Sequence, residues 1–177
     1  RNPHQFSPCV LRMSANAFLC GYYQSEKYFH EIGDTLRREI SLSSPSSGPN
    51  EQWKEQVERL NSVGIHVRRG DYVKQGWSLP ADYYRSAIEA MNSLTDDMVL
   101  FFFSDDIQWV QQHSQRLLPK GFSIANVNYV DCNDGEHAHE DLRLMRSCRH
   151  NIISNSTFSW WGAWLNRNSE KIVLAPH

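Results

Sequence analysis

The chain has 177 residues, 40% hydrophobic and 21% charged, which suits one folded domain or one domain with part of another and excludes general disorder. A formal net charge of −2 gives no overall pull toward nucleic acid or anionic membrane, so any cationic site has to be local. No apolar run reaches the roughly 18 residues of a membrane span, and no signal-peptide pattern is visible; because the chain opens on Arg1, it reads as a fragment whose missing ends have room for an anchor.

In chain order, the first predicted element is a helix over Gly21–Ile40, where Tyr22, Phe29, Ile32, Leu36 and Ile40 recur at helical intervals and Gly33 weakens the pattern without breaking it. Ser41 to Asn50, SLSSPSSGPN, reads as a linker, which makes residues 1–50 the tail of a first domain and 51–177 a second. Beyond it, apolar runs predict strands at Val63–Val67, Val99–Phe103, Ser123–Val130, Asn151–Ser154 and Lys171–Leu174. Amphipathic runs predict helices at Pro80–Asn92, Ile107–Leu118, Glu136–Cys148 and Thr157–Asn166, with Pro80 suited to a first helical turn. Apolar strands alternating with helices imply an α/β fold, a Rossmann-like parallel sheet flanked by helices. The cysteines, Cys9, Cys20, Cys132 and Cys148, lack CxxC spacing and read as reduced, mostly buried thiols of a cytosolic protein.

In open α/β sheets ligands bind outside the carboxyl ends of the strands, so the residues after each strand carry the functional reading. After the first come Arg68, Arg69, Gly70 and Asp71, in the run GIHVRRGDY. His66 and Arg68 share one side of the strand and Arg69 turns away, so two guanidinium forks cover a broad angle suited to phosphate oxygens. Asp71 either orients an arginine or meets the ligand. After the second strand, Ser104-Asp105-Asp106 reads as a helix N-cap or as a carboxylate pair for a divalent cation; adjacent carboxylates without a third ligand favour the cap. After the fourth comes NSTFSWWGAWL, with Ser156 or Thr157 as a natural N-cap whose helix offers free N–H groups to an anion. Trp160, Trp161 and Trp164 read as packing. The Asn155 sequon is not expected to be glycosylated at a ligand cleft, and His137 and His139, two residues apart, do not share the helix face a zinc site needs. Asp141, in the first turn of its helix, is placed to read a base edge.

Together HVRRGDY at His66–Tyr72, FFSDDIQWV at Phe102–Val110 and EDLRLMRSCRHNIISNSTFSWWGAWLN at Glu140–Asn166 resemble the α-1,2-fucosyltransferases, glycosyltransferase family 11. GYYQSEKYF and LPADYYRSAIEAM match the bacterial-type members, and the resemblance runs from Gly21 onward. It implies the C-terminal half of a GT-B type glycosyltransferase with part of the N-terminal, acceptor-side half. It implies transfer of fucose from GDP-fucose to the 2-hydroxyl of a galactose-terminated glycan, inverting; no cofactor is expected, and no metal, because two arginines and a helix N-terminus can neutralise the diphosphate. By this resemblance Arg68 or Arg69 holds the β-phosphate, His66 and Asp141 contact guanine or ribose, and Ser156, Thr157, Phe158 and Ser159 form a diphosphate turn. Asp105 is counted among the donor contacts, and Asp71 is the carboxylate nominated as base. The location implied is cytoplasmic, peripheral at the inner membrane for a bacterial protein, or the Golgi lumen for a eukaryotic one. A non-catalytic nucleotide-sugar module and a fucosyltransferase of another linkage stand as alternatives; RNA binding is disfavoured, since no basic stripe is present.

Overall fold

The computed structural model describes residues 6–14, 16–21, 23, 25–42 and 44–177. They form two compact units, Arg1–Ser43 and Ser44–His177, divided inside the Ser41–Asn50 stretch. In the first unit the helix predicted over Gly21–Ile40 is much shorter. Single 3-10 turns at Glu26–Tyr28 and His30–Ile32 precede α1, Gly33–Glu39. Tyr22 lies outside the described residues, Ile32 is exposed, and Leu36 and Ile40 are only half-buried. A helix without a buried apolar face has little to hold it beyond a few turns.

The second unit runs α2 (Pro49–Arg59), β1 (Ser62–Val67), α3 (Gly70–Gln75), α4 (Ala81–Asn92), β2 (Val99–Ser104), α5 (Ile107–Gln112), α6 (Ser114–Leu117), β3 (Val127–Tyr129), α7 (Ala138–Ser147), β4 (His150–Ile152), α8 (Thr157–Leu165) and β5 (Val173–Leu174). All four strand pairings are parallel and the order is β3-β2-β1-β4-β5. This is the order of a Rossmann-type sheet, whose chain reverses direction between β1 and β4 and so opens a crevice at their carboxyl ends.

Alternation along the strands feeds two cores. Val63, Ile65, Val67, Leu100, Phe102 and Ile152 pack with Tyr84, Ile88 and Met91 of α4 and with Val110 and Leu117. Phe101 and Phe103 point the other way, onto Val57 of α2 and Leu144 and Met145 of α7. All six residues of β1 are buried, as expected of a central strand covered on both faces. On the α7 side Gly64 leaves room for Cys148 Sγ, which would stand 3.0 Å from an added Cβ. A buried amide latch ties α7, β4 and α8 together: Asn151 Nδ2 donates to Met145 O at 2.9 Å, and Asn166 Nδ2 donates to Asn151 Oδ1 at 2.9 Å and Cys148 O at 2.7 Å.

Several expectations change. The helix predicted over Ile107–Leu118 is two, because the His113 N–H and ring Nδ1 both bond Trp109 O, at 3.0 and 2.8 Å, and close the first helix there. The strand predicted over Ser123–Val130 keeps only β3, since its first half is a 3-10 turn with Ile124 66% exposed. Helix α2 escaped the sequence reading because it is polar almost throughout, with Val57 its one buried residue. Helix α3 is absent from the predicted helices; Gly70 opens it, and Gly76 at φ 70° closes it in the left-handed region. Of the four cysteines only Cys148 is buried; all are free thiols, and Cys9, Cys20 and Cys132 are exposed. Among the described residues no helix is long and apolar enough to cross a membrane.

Candidate functional site

A cavity of about 620 Å³ lies at the carboxyl end of the sheet, lined by His66 and Arg68 after β1, Ser104 to Gln108 after β2, Asn133 to Gly135 after β3, Ala138 and Asp141 of α7, and Phe158 of α8. Five of the expected donor contacts therefore meet around one cavity, His66, Arg68, Asp105, Asp141 and Phe158, and Ser104 and Asp106 of the same acidic run line it beside them.

Arg68 is the cation of this cavity. Its terminal nitrogens pair with Asp71 Oδ1 at 2.6 Å and Asp105 Oδ2 at 3.1 Å, its guanidinium lies 5.3 Å over the Tyr72 ring, and its Nε is buried with no acceptor among the described residues. Asp105 also accepts the Arg69 N–H at 2.8 Å, so one carboxylate clamps the backbone of the double-arginine turn and holds its first guanidinium. The close fit explains Gly70, where a Cβ would collide with that carboxylate. Arg69 turns away from the cavity. Its guanidinium stacks 3.5 Å from the centre of the Trp109 ring and its Nε bonds Asp106 Oδ2 at 3.1 Å. Asp106 in turn caps α5, accepting Trp109 N at 3.2 Å. Both carboxylates of the Asp105-Asp106 pair are thus engaged by arginines and backbone. Among the described residues no three His, Cys, Asp or Glu side chains converge as a metal-binding set.

His66 and the turn after β4 form one hydrogen-bonded block. His66 Nδ1 meets Ser154 Oγ at 3.0 Å, Ser154 Oγ meets Ser159 Oγ at 3.3 Å, and the imidazole packs 5.3 Å from the Phe158 ring. Burial, reinforced by the nearby Arg68 charge, pushes His66 down to about 3, so the ring is neutral at physiological pH. Ser156 is the N-cap of α8, accepting Phe158 N at 3.3 Å. Ser159 is fully buried and donates to Ser156 O at 3.1 Å, whereas Thr157 is exposed. Arg69, Asp71, Ser156, Thr157 and Ser159 stand outside the cavity wall.

Elsewhere in the cavity lining, the mostly buried Asp141 carboxylate accepts Asn133 Nδ2 at 2.7 Å. Burial, with a smaller contribution from Glu140, raises its pKa to about 6 despite that hydrogen bond. Asn133 is itself held by a reciprocal pair of amide bonds with Asn50, at 2.8 and 2.9 Å, which ties the N-terminus of α2 to the loop after β3. Asp134 orders the same loop by accepting His137 Nδ1 at 2.7 Å and two backbone N–H groups, and the His137 bond holds its pKa below the usual range. Sequence reading missed Asn133, Asp134 and Gly135. The signal was there: DCNDG is a turn-rich run directly after a predicted parallel strand.

A family model described as Glycosyl transferase family 11 matches residues 4–177. The chain is 38% identical over 128 residues to the Escherichia coli O-antigen biosynthesis glycosyltransferase WbnK, covering 67% of this chain and 39% of that protein. It is 32% identical over 170 residues to an Escherichia coli alpha-1,2-colitosyltransferase, covering 93% of this chain and 56% of that one. It is 28% identical over 163 residues to the Homo sapiens galactoside alpha-(1,2)-fucosyltransferase 1, covering 83% and 42%. The chain thus spans roughly two fifths to just over half the length of these relatives. With its parallel sheet, its arginine turn at the end of β1 and a family match over almost its whole length, the chain belongs to glycosyl transferase family 11.

Proposed function

We propose that this chain carries the donor-binding part of an inverting, metal-independent α-1,2-fucosyltransferase that takes fucose from GDP-fucose to the 2-hydroxyl of a galactoside. The observation that carries the reading is the cavity at the end of the sheet, whose lining includes both Arg68 and Asp141. A cation there suits the diphosphate, and a carboxylate suits the N–H donors of a guanine edge. Neutral His66, fixed by Ser154, suits a ribose or base contact.

In the reaction the acceptor oxygen bonds to the fucose C1 as the C1–O bond to the β-phosphate breaks. GDP leaves with the electron pair, and the acceptor proton passes to a base. Arg68, already oriented by two carboxylates, is aimed at the charge that grows on the leaving phosphate. Asp71, paired with Arg68, is the candidate base of the arginine turn. Arg69 contributes by fixing the turn against Trp109 and Asp106.

The test is a mass-spectrometric product screen with GDP-fucose and lactose, together with GDP release measured with and without lactose. A fucosyl-lactose product supports the reading. GDP-fucose binding without product or GDP release would mark a non-catalytic nucleotide-sugar module. A second reading has its own support in the 32% identical colitosyltransferase: a donor carrying colitose in place of fucose. An activated colitose donor therefore belongs in the same screen.

A further inference from the structure

Of the six tryptophans, Trp77 alone is exposed among the described residues, with 56% of its surface open. It is nevertheless fixed in place. Gly76 ends α3 in the left-handed region, the Trp77 N–H bonds Tyr72 O at 2.9 Å, and Asn155 Nδ2 bonds Trp77 O at 2.9 Å. The indole meets Tyr72 edge-on at 5.7 Å between ring centres, and Tyr72 carries the Arg68 guanidinium on its own face. The chain of contacts Trp77, Tyr72, Arg68 therefore links the exposed ring to the cavity wall. The bond from Asn155, which follows β4, anchors it at the reversal between β1 and β4.

We propose that Trp77 is the stacking platform for the terminal hexopyranose of the acceptor glycan. A sugar ring has an apolar C–H face and a rim of hydroxyls, so it needs a flat, rigid aromatic face with hydrogen-bonding groups beside it. The same stretch of chain carries both kinds of group: the indole and exposed Val73, the half-exposed Asp71 carboxylate in the first turn of α3, and the exposed Asn155 whose Nδ2 bonds Trp77 O. The platform also directly follows the short helix that carries the carboxylate nominated as base. The assignment rests on the transferase reading above, and the following experiment separates the two.

In the full-length protein, Trp77→Ala and Trp77→Phe are compared with wild type by varying lactose at saturating GDP-fucose, by GDP release into water without lactose, and by tryptophan emission during lactose titration. Expected is a rise of about tenfold in the lactose KM for Trp77→Ala, most of it recovered by Trp77→Phe. The GDP-fucose KM and release into water stay unchanged, and the lactose-dependent emission change is lost in both variants. An unchanged lactose KM in Trp77→Ala, with GDP release intact, overturns the platform and leaves the donor site standing. A variant that unfolds or melts several degrees lower without that KM rise assigns the ring to packing against another part of the chain and also overturns it. If wild type releases no GDP from GDP-fucose, the transferase reading fails. The emission difference between wild type and Trp77→Phe then decides the platform alone, and its absence overturns it.

Discussion

Replacing Asp141 by asparagine tests whether the cavity holds a buried carboxylate whose charge its one side-chain donor, Asn133, does not offset. Burial raises the Asp141 pKa from 3.8 to about 6, and at about 1.4 kcal/mol per pH unit this is a cost of about 3 kcal/mol once the group ionises. The sign is the reverse of the usual carboxylate case. Below pH 3.8 the group is protonated in both states and costs nothing; as pH rises toward 6 the unfolded chain ionises first, and stability falls until the folded pKa is passed. The substituted amide keeps an oxygen for Asn133 Nδ2 and carries no charge. Asp141→Asn should therefore be more stable than wild type by up to about 3 kcal/mol at pH 7.5, about 6–12 °C in Tm for a domain of this size. The gain should shrink toward zero at pH 4. GDP should reverse the ranking: if the carboxylate accepts N–H groups from guanine, GDP binding to wild type strengthens between pH 5 and 7, and the variant loses affinity by more than about tenfold at pH 7.5. Thermal melts across that pH range, with and without GDP, provide the assay. A variant destabilised equally at pH 4 and pH 7.5 would show that no buried charge is being relieved, and unchanged GDP affinity would remove Asp141 from the donor site.

The two arginines should part company. Arg68→Ala should lower turnover by about 10²-fold or more, whereas Arg69→Ala should lower turnover less and act mainly on stability, because it loses a stacked cation worth about 0.5–2 kcal/mol; paired kinetics and melts check this, and indistinguishable variants would refute the division of roles. Arg69→Lys should recover little, since an ammonium cannot reproduce a planar group lying 3.5 Å over Trp109. Turnover should survive EDTA, because Asp105 and Asp106 are already engaged by Arg68 and Arg69; loss restored by Mn²⁺ or Mg²⁺ would make them ligands instead. Gly162→Ala should cost about 1–3 kcal/mol by overpacking, since the new methyl would stand 3.0 Å from Met145 Cε and 3.2 Å from Met145 Cβ across the α7–α8 contact; an unshifted Tm would mean the helices separate freely.

The sequence by itself determined the elements whose signal is local. Continuous apolar runs marked the central strands, because a strand covered on both faces has no polar side to alternate with. Because parallel sheets bind ligands at their carboxyl ends, the position of Arg68, Arg69 and Ser156 directly after strands is itself a local signal. The family motifs were equally legible, since each is a contiguous run of letters. Tertiary structure alone decided how those letters divide their work. Adjacent arginines are equivalent in sequence, but Arg68 turns to the cavity and Arg69 onto Trp109, because their carboxylate partners arrive from β2, with Asp105 lying 36 positions beyond Arg69. Ser159, read as a ligand hydroxyl, is consumed inside the turn by Ser154 and Ser156. Asn133 acquires its place only when Asn50, 83 positions earlier in the chain, closes on it. For the arginines and Asn133 the physical reason is shared: backbone periodicity is written in neighbouring residues, whereas the direction of a polar side chain at a strand end is set by which distant donor or acceptor reaches it once the sheet has assembled; for Ser159 it is the folding of the turn itself that brings its neighbours onto the hydroxyl.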